Sequence, residues 1–288
     1  MTAKDWFNKA RAEGFAIGAF NVDNMDIFKA VCIAGENKRS PVMLEFSQGE
    51  IGYFGLKNIV DLIINAREEY GIPILLNLDH SKSVEDCIAA IDQAGFDNVH
   101  FDGSDLTYEK NVEETKKVAD CAHKKGLLVE AEIDKIAGSS DIHDEEIDIK
   151  LLKQSYTDPQ KAAKFVKETG VDMLATAFGN VHGTFPVQPN LDINLLSKIR
   201  EAVPSCFLSL HGSSGIPAEQ VKTAINVGKI VKVNLNTELR VAYREAIGEE
   251  LSENPNEYAS YKLSSDVIMA VAAVVEAKID VFGSGNKI

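Results

Sequence analysis

Residues 73–102, PILLNLDHSKSVEDCIAAIDQAGFDNVHFD, contain one complete strand–helix–strand unit. The apolar runs 73–79 and 97–102 predict two buried strands, and the amphipathic segment 84–94 between them predicts a helix. Gly95 follows that helix at the position where a left-handed residue commonly ends one. Because strands joined through a helix in this way usually run parallel, the stretch indicates an α/β fold.

The same alternation continues on both sides of this unit. Six further runs predict strands, at 15–21, 41–46, 127–133, 171–178, 206–211 and 229–235. Helical patterns lie between the strands, at 24–38, 57–70, 109–124, 159–168, 194–202 and 218–226. Eight such units in 288 residues predict one domain, residues 1–288, folded as a (β/α)8 TIM barrel. A doubly wound open sheet is the alternative, but no Gly-x-Gly-x-x-Gly turn follows the first strand.

Two segments are additional to the eight strand–helix units of a minimal barrel. Residues 135–156, KIAGSSDIHDEEIDIKLLKQSY, are polar, acidic and long for a strand–helix connection, so we predict a mobile loop over the active site. Residues 264–277 predict an additional C-terminal helix after the eighth barrel helix. Such a helix would cap the barrel or pack on a neighbouring subunit.

The composition narrows the possible partners and compartment. A hydrophobic content of 45% is enough for a large core, and a net charge of −14 argues against nucleic acid and membranes as main partners. The N-terminus lacks a signal-peptide pattern, and no apolar stretch is long enough to span a bilayer. Four widely spaced cysteines without a Cys-x-x-Cys motif are typical of reduced thiols, which predicts a cytoplasmic protein; they are Cys32, Cys87, Cys121 and Cys206.

Polar side chains concentrate where the predicted strands end. They are Asn21, Ser47, Asp79, His80, Asp102, Glu132, His182, His211 and Asn234. The opposite ends of the strands carry mostly Pro, Gly, Lys and apolar residues. Because the carboxyl ends of barrel strands form the active site, this polarity predicts an enzyme.

Three of these residues suggest a metal centre. His80 in LLNLDHS, His182 in AFGNVHG and His211 in FLSLHGSSG each follow an apolar run, and three converging imidazoles would make an open zinc site. A lone histidine at a strand end is more often a structural residue, but three together favour metal. Asp79 precedes His80 and is a candidate general base; the alternative is a carboxylate that orients a histidine.

Other titratable residues near the strands have plainer interpretations. We predict that His100 fills space, that His123 is solvated at a helix end, and that His143 lies exposed in the acidic loop, all outside the site. Glu132 could be a metal ligand, a partner of a ligand or an ion-pair residue, and Glu130 would share its face.

The last two strands are followed by candidate phosphate loops. Gly212-Ser213-Ser214-Gly215 follows the seventh strand, and Asn234-Leu235-Asn236-Thr237 follows the eighth and opens a helix. Barrel enzymes commonly bind phosphate with these two loops through backbone N–H groups, hydroxyls and a helix N-terminus. The sequence therefore predicts a phosphorylated small molecule as substrate.

With these residues assembled, the chain resembles the zinc-dependent class II fructose-bisphosphate/tagatose-bisphosphate aldolase family from about residue 18 to 285. The resemblance rests on the ordered motifs GAFNVDN (18–24), SPVMLEFSQG (40–49), NLDHSKS (77–83), FDGSDLTYEKNVEET (101–115), VEAEI (129–133), FGNVHG (178–183), LHGSSGIP (210–217) and KVNLNTELR (232–240). It implies a TIM barrel that assembles as a homodimer or homotetramer, and a lyase of carbohydrate metabolism and glycolysis.

The resemblance also implies roles for individual residues. His80, His182 and His211 would hold one catalytic Zn²⁺ per subunit, and Asp102 and Glu132 could host a second, displaced position. Asp79 would remove the C4 hydroxyl proton of a ketose 1,6-bisphosphate, so that the C3–C4 bond breaks to give dihydroxyacetone phosphate and an aldehyde. The implied substrate contacts are Asn21, Ser47, Gly183, Gly212, Ser214, Asn234, Asn236, Thr237 and Arg240. A monovalent cation, Na⁺ or K⁺, is implied beside the phosphate, and Arg240 would reach the distal phosphate.

The chain departs from the family pattern at three places. Pro186 stands where a lysine is usual, Asn236 stands where an aspartate is frequent, and the loop after the fifth strand lacks the usual double glycine and Glu-Asp-Asp run. The expected substrate is fructose 1,6-bisphosphate, and the alternatives are tagatose 1,6-bisphosphate or another phosphorylated ketose. A non-catalytic paralogue is a third hypothesis, which the retention of Asp79 beside three histidines disfavours.

Overall fold

The computed structural model describes residues 1–288 and contains ten strands. They are β1 (Ile17–Asn21), β2 (Val42–Phe46), β3 (Ile74–Ser81), β4 (Asn98–Asp102), β5 (Leu128–Glu132), β6 (Gly138–Ile142), β7 (Met173–Ala175), β8 (His182–Thr184), β9 (Phe207–Leu210) and β10 (Ile230–Leu235). Eight of the strands close into a parallel barrel in the order β1-β10-β9-β7-β5-β4-β3-β2. This confirms the predicted (β/α)8 barrel and rules out the open sheet.

Twelve helices accompany the strands. They are α1 (Ala3–Glu13), α2 (Met25–Lys38), α3 (Gln48–Phe54), α4 (Leu56–Tyr70), α5 (Val84–Gln93), α6 (Tyr108–His123), α7 (Ile149–Leu152), α8 (Pro159–Thr169), α9 (Ile193–Ala202), α10 (Ala218–Gly228), α11 (Thr237–Glu253) and α12 (Ser260–Phe282). The predicted C-terminal helix is α12, which packs on α2 and α11 and is longer than its sequence pattern indicated. None of the helices is both long and apolar enough to cross a membrane.

The two open ends of the barrel differ in what covers them. At the amino mouth, where the strands begin, α1 inserts Trp6 and Phe7 against the first residues of several strands. The Phe7 and Phe207 rings lie 5.6 Å apart, and the whole cluster is apolar. At the opposite, carboxyl mouth the strands end in polar side chains. The helix thus closes one end of the barrel with hydrophobic surface and leaves the other end for a site.

The segment 135–156 has regular structure of its own. It contains β6 and α7, followed by a 3₁₀ turn, Lys153–Ser155. Strand β6 pairs in parallel with β8, which begins with His182. Gly138 and Gly183 allow this close approach, because a methyl group on either would clash with backbone carbonyl oxygens of the paired strand. The predicted loop is therefore tied directly to a strand that bears a site residue.

One strand is shorter than its sequence pattern predicts. The sixth predicted run, 171–178, forms a strand only over Met173–Ala175, because Ala177 pairs instead with Thr157 through hydrogen bonds of 2.8 and 2.9 Å. The left-handed residue that ends α10 is Lys229, with φ of 51°, whereas Gly228 is the last helical residue. Gly228 packs against Leu196, where a larger side chain would collide. That glycine therefore serves helix packing rather than helix termination.

Candidate active site

A β-bulge in β3 places Asp79 and His80 together at the carboxyl mouth. The pairing with β4 advances from Leu78 to Ser81 on one strand but only from Val99 to Phe101 on the other, so β3 carries an extra residue. His80 has a φ of 45°, in the left-handed region that non-glycine residues rarely adopt. In a regular strand these adjacent side chains would point to opposite faces. The bulge turns both into the mouth.

The three histidines singled out by the sequence come together here. His80 Nε2 and His211 Nδ1 are 2.9 Å apart. The His182 ring lies 5.0 Å from the His80 ring and 6.2 Å from the His211 ring, measured between centroids. His211 is fully buried, whereas His80 and His182 are partly exposed to the cleft. Three elements, β3, β8 and the end of β9, therefore present imidazoles to one space.

Carboxylates hold two of these rings from behind. His211 Nε2 donates to Glu130 Oε1 at 2.7 Å, which leaves His211 Nδ1 as the nitrogen that faces His80. His80 Nδ1 lies 3.2 Å from Asp102 Oδ2 and 3.8 Å from Glu132 Oε2. A carboxylate on the far nitrogen of each ring is the usual arrangement behind metal-ligating histidines, because it fixes the tautomer and ring orientation.

Asp79 is held by two amides. Asn21 Nδ2 donates to its Oδ2 at 3.1 Å, and Asn234 Nδ2 donates to its Oδ1 at 3.3 Å. Burial alone would raise the pKa of Asp79, but the charges of His80 and Lys232, with a hydrogen bond from His100, hold it well below its usual range. Asp79 is therefore an ionised, oriented carboxylate that can accept a proton.

His100 lies inside the cluster, contrary to the expectation that it fills space elsewhere. It is fully buried, its ring centroid is 4.5 Å from that of His80 and 5.0 Å from that of His211, and its Nε2 has no hydrogen-bond partner. The sequence held the signal: His100 precedes Asp102 by two residues, so both share the inward face of β4. His123 and His143 lie outside the cluster, paired with Asp172 and stacked on Phe185.

The donor set fits a cation. The buried carboxyl residues are Glu45, Glu50, Asp79, Asp102, Glu130 and Glu132, whereas Lys232 is the one buried lysine or arginine. The ligand atoms of Asp79, His80, His100 and His211 lie within 4.8 Å of one another, as do those of His80, Asp102 and Glu132. Imidazole nitrogens with an acidic surround suit a divalent metal such as zinc, and the unpartnered Oε2 of Glu132 is a further available donor.

Burial and neighbouring charges shift the pKa values of the three imidazoles in different directions. Burial would lower the pKa of His80, but Asp79 and Asp102 raise it to about 10. Burial and the charge of His80 lower the pKa of His182 to about 3. Burial also lowers the pKa of His211 well below its usual range. His182 and His211 are thus neutral near pH 7, which is the form that binds metal.

A cleft of about 320 Å³, open solvent included, adjoins the cluster. Its lining contains neither lysine nor arginine and consists of Asn21, Asp79, His80, Ser140, His182, Gly183, His211, Gly212, Ser213, Ser214, Asn234, Asn236 and Thr237. Most of the residues expected to contact substrate therefore line one cleft. Ser140 was not predicted from the sequence; it reaches the cleft because β6 pairs with β8.

One side of this cleft is lined by backbone groups and hydroxyls rather than by charged side chains. Gly183 and Gly212 have φ values of 91° and 63°, and a methyl group on either would meet neighbouring carbonyl oxygens. Ser213 Oγ donates to the Asn234 carbonyl at 2.5 Å, which joins the loop after β9 to the end of β10. Thr237 begins α11, so the N-terminus of a 17-residue helix points to the same place. Such a surface suits phosphate.

Two expected substrate contacts, Ser47 and Arg240, are not among the residues that line the cleft. Ser47 caps α3 and donates its backbone N–H to Glu50 Oε2 at 2.5 Å. Arg240 makes a bidentate contact to Asp23, at 2.8 and 3.0 Å, and a 3.4 Å contact to Glu50. Pro186, the position that departs from the family pattern, is in the bend after β8 and is also not a lining residue.

The fold and this mouth define a barrel enzyme, and comparison with known proteins identifies its family. Residues 1–287 match the family model "Fructose-bisphosphate aldolase class-II", and the chain belongs to that family.

The individual relatives agree. The chain is 37% identical over 290 residues to a fructose-bisphosphate aldolase of Geobacillus stearothermophilus, covering all of this chain and 98% of that protein. Among solved structures, a putative fructose-1,6-biphosphate aldolase from Coccidioides immitis superposes with a TM-score of 0.86 at 32% identity, covering 99% and 97% of the two chains. The YdjI aldolase from Escherichia coli K12 gives 0.82 at 32% identity, covering 100% and 99%.

Family membership makes the chain a lyase with ketose-bisphosphate aldolase activity. Zinc dependence is a general property of the class II family, and the histidine–carboxylate cluster could hold such a metal. The family also implies a phosphorylated sugar as substrate.

Proposed function

We propose that the chain reversibly cleaves fructose 1,6-bisphosphate to dihydroxyacetone phosphate and glyceraldehyde 3-phosphate. The observation that carries this proposal is the β3 bulge, which presents the carboxylate of Asp79 and the imidazole of His80 to the same cleft. A chain that only bound sugar would have no need for an ionised carboxylate held by two amides beside three imidazoles. This disfavours the non-catalytic paralogue.

The 1-phosphate would lie against the glycine and hydroxyl side of the cleft. Gly183, Gly212 and Ser214 would offer backbone and hydroxyl donors, and Thr237 would place the positive end of α11 behind the anion. Because no lysine or arginine lines this side, binding would depend on oriented N–H groups. Na⁺ or K⁺ beside the phosphate belongs to the proposal; exchange for tetramethylammonium should then lower turnover.

Asp79 would carry out the proton transfer. It takes the proton of the C4 hydroxyl, C4 becomes a carbonyl as the C3–C4 bond breaks, and the bonding electron pair moves to C3 and the adjacent C2 carbonyl. C3 then takes a proton from solvent to give dihydroxyacetone phosphate, and Asp79 releases to solvent the proton that it accepted. The hydrogen bonds from Asn21 and Asn234 would keep the Asp79 carboxylate in position for this transfer, and Asn236 would contact the sugar.

One zinc ion per subunit would be held by His80 through Nε2, His211 through Nδ1, and His182. When bound, zinc supplies a Lewis acid that stabilises negative charge developing on the substrate oxygens. Glu130 and Asp102 keep the first two rings oriented toward the shared space. Asp102 and Glu132, which face His80 from the other side, would form the second, displaced position.

Asp79→Ala tests the assignment. We expect the variant to keep its zinc, because Asp79 is not one of the three proposed zinc ligands and its closest contacts are the amides of Asn21 and Asn234, and to lose about 10²–10⁴-fold in turnover. Metal content and aldehyde release are measured on the same preparation. Loss of zinc together with activity would instead give Asp79 a structural role.

A second candidate substrate differs at the distal end. Arg240 is paired with Asp23 and Glu50, and Pro186 offers no charge, so a cation for a second phosphate is already engaged. This favours testing another phosphorylated ketose, with one phosphate or with tagatose stereochemistry. A kcat/KM series over fructose 1,6-bisphosphate, tagatose 1,6-bisphosphate and fructose 1-phosphate discriminates them. If the monophosphate gave the highest value, fructose 1,6-bisphosphate would not be the preferred substrate.

We also propose a homodimer or homotetramer, with the face of α12 at the subunit contact. Large side chains on the first half of α12 and beside it are strongly exposed: Tyr53 at 73%, Tyr258 at 88%, Tyr261 at 75% and Met269 at 51%. An exposed apolar and aromatic patch of this kind is typical of association surfaces. Light scattering should give a multiple of the monomer mass, and Tyr261→Asp should reduce it.

Three broader assignments complete the proposal. The chain would act as one domain, residues 1–288, because its barrel strands share one continuous core. Residues 135–156 would move during turnover while β6 stays paired with β8. A cytoplasmic location is supported by four free cysteines, three of them buried.

A further inference from the structure

A fully buried lysine lies below the histidine cluster and is not among the residues proposed to contact the metal or the substrate. Lys232 projects from β10 into the barrel, where its Nζ lies 2.8 Å from Glu130 Oε2 and 3.2 Å from Glu45 Oε2. All three side chains are completely inaccessible to solvent. The group ties together β10, β5 and β2, which are not neighbours in the barrel.

Glu130 is the link between this lysine and the site. Its Oε2 accepts from Lys232, and its Oε1 accepts from His211 Nε2 at 2.7 Å and from Ser209 Oγ. Both carboxylate oxygens are therefore engaged, and neither can turn without breaking a contact. The orientation of His211, with Nδ1 toward His80, depends on where Glu130 is fixed.

Stability alone does not account for this arrangement. Taking a lysine and two glutamates out of water costs several kcal/mol per ion, and such groups can often be replaced by apolar residues without loss of stability. The contact chain from Lys232 to Glu130 to His211 instead ends at a ring nitrogen in the site. A network of this form is suited to holding a ligand in place.

We propose that Lys232 is a positioning residue: by pinning Glu130, it fixes His211 in the Nε2–H tautomer with Nδ1 free to bind metal. The proposal rests on the assignment of His211 as a zinc ligand in the proposed function. Glu45 provides the matched control, since it contacts the same lysine and is equally buried but does not contact His211.

The first measurement uses metal-free protein. In chelator-treated, ¹⁵N-histidine-labelled wild type, the imidazole shifts of His211 should report the Nε2–H tautomer, with His211→Asn used to assign the signal. Lys232→Met should give a mixture of both tautomers, and Glu45→Gln should leave the wild-type signal. An unchanged tautomer in folded Lys232→Met would overturn the proposal. A wild-type chain that bound no zinc would defeat the metal centre, while this measurement would still decide the role of Lys232.

The second measurement is zinc affinity by chelator competition, with the visible spectrum of the cobalt-loaded protein as a record of ligand geometry. Lys232→Met and Glu130→Gln should each weaken zinc binding about 10–100-fold and shift the cobalt spectrum, as loss of a partner behind a ligand does. Glu45→Gln should stay within about threefold of wild type. A loss in Glu45→Gln as large as that in Lys232→Met would show that the buried charge, and not Glu130, matters.

A double variant keeps the test decisive if Lys232→Met does not fold. Lys232→Met/Glu130→Gln removes both charges together, which avoids a buried carboxylate without its cation. If Lys232 acts through Glu130, the double variant should bind zinc within about twofold of Glu130→Gln alone. A further tenfold loss in the double variant would mean that Lys232 acts by another route, and would overturn the proposal.

Discussion

The two mouths of the barrel are built from the same strands and have opposite chemistry. Strand β9 and the residue after it show the contrast within five residues: Phe207 packs on Phe7 at the amino mouth, Ser209 contacts Glu130 in the middle, and His211 faces His80 at the carboxyl mouth. The amino mouth is closed by apolar burial, which needs area but little directional precision. The carboxyl mouth is held by directional hydrogen bonds among buried charges, which must all be satisfied at once.

This difference predicts which property a substitution at each mouth should alter. A substitution at the amino mouth should cost stability and leave the chemistry of each folded molecule intact. A substitution at the carboxyl mouth should cost chemistry, since groups there are arranged for a ligand rather than for packing. Four predictions test this division, in order of expected size.

The largest effect is expected at the metal end. His211→Ala removes a proposed ligand and the ring that Glu130 holds, so zinc should be lost and cleavage should fall by at least about 10³-fold. Metal analysis and aldehyde release check this. His123→Ala, which changes an exposed ring paired with Asp172, serves as the control and should retain both zinc and activity. Full activity in His211→Ala would refute the site.

Phe7→Ala tests the comparison at the amino mouth. This fully buried ring fills the amino mouth, and its removal should lower the free energy of unfolding by about 3–5 kcal/mol. Denaturant unfolding measures the loss. The kcat/KM for each folded molecule should stay within twofold of wild type, and a large fall there would show that the two mouths are coupled.

The phosphate side of the cleft offers a matched pair of glycines. Gly212 and Gly71 have nearly the same φ, 63° and 62°, but only Gly212 is crowded, against the Val181 carbonyl. Gly212→Ala should raise KM about tenfold and reduce stability by about 1–3 kcal/mol, because the strained backbone must move. Gly71→Ala should cost about 1 kcal/mol of stability and leave KM unchanged. Equal KM values in the two variants would show that Gly212 does not contact the substrate.

The smallest effect, counted per pH unit, is the pH dependence of stability. Burial, together with Asp23, raises the pKa of Glu50 to about 8. The folded chain therefore holds a proton that the unfolded chain has released above about pH 4.3, so stability falls as pH rises from about 5 to 8. Glu50→Gln should flatten this fall by up to about 1.4 kcal/mol per pH unit. Unfolding curves at several pH values check the slope, with the exposed Glu253→Gln as control.

The barrel could be predicted from the sequence because its signals are local. Each strand–helix unit carries its own periodicity, and residues such as Asn24 and Asp158 cap the helices they precede. The pairing of β6 with β8 could not be predicted, since residues Gly138 and His182 are distant in sequence and the paired segments are polar. Nor could the early end of β7, where Ala177 leaves the barrel to pair with Thr157.

The candidate site, like the fold, could be predicted from the sequence only where its signals are local. His80, His182 and His211 stand out because each follows an apolar run, and the structure brings their rings together. The prediction that His100 only fills space was wrong, because its two-residue spacing from Asp102 places both side chains on the inward face of β4. The Lys232–Glu130 contact crosses the barrel between non-adjacent strands, and no spacing in the sequence encodes that distance. Cross-barrel contacts are a property of closure, which exists only in three dimensions.

The excess of buried carboxyls over buried cations at the carboxyl mouth has a consequence for the lifetime of the protein in a cell. A divalent ion that binds this mouth and not the unfolded chain stabilises the fold by mass action, by about 2.7 kcal/mol when its free concentration is a hundred times its Kd. Metal-starved molecules would unfold more often and be degraded sooner by proteases. The amount of this enzyme could thus follow metal supply without any change in its synthesis.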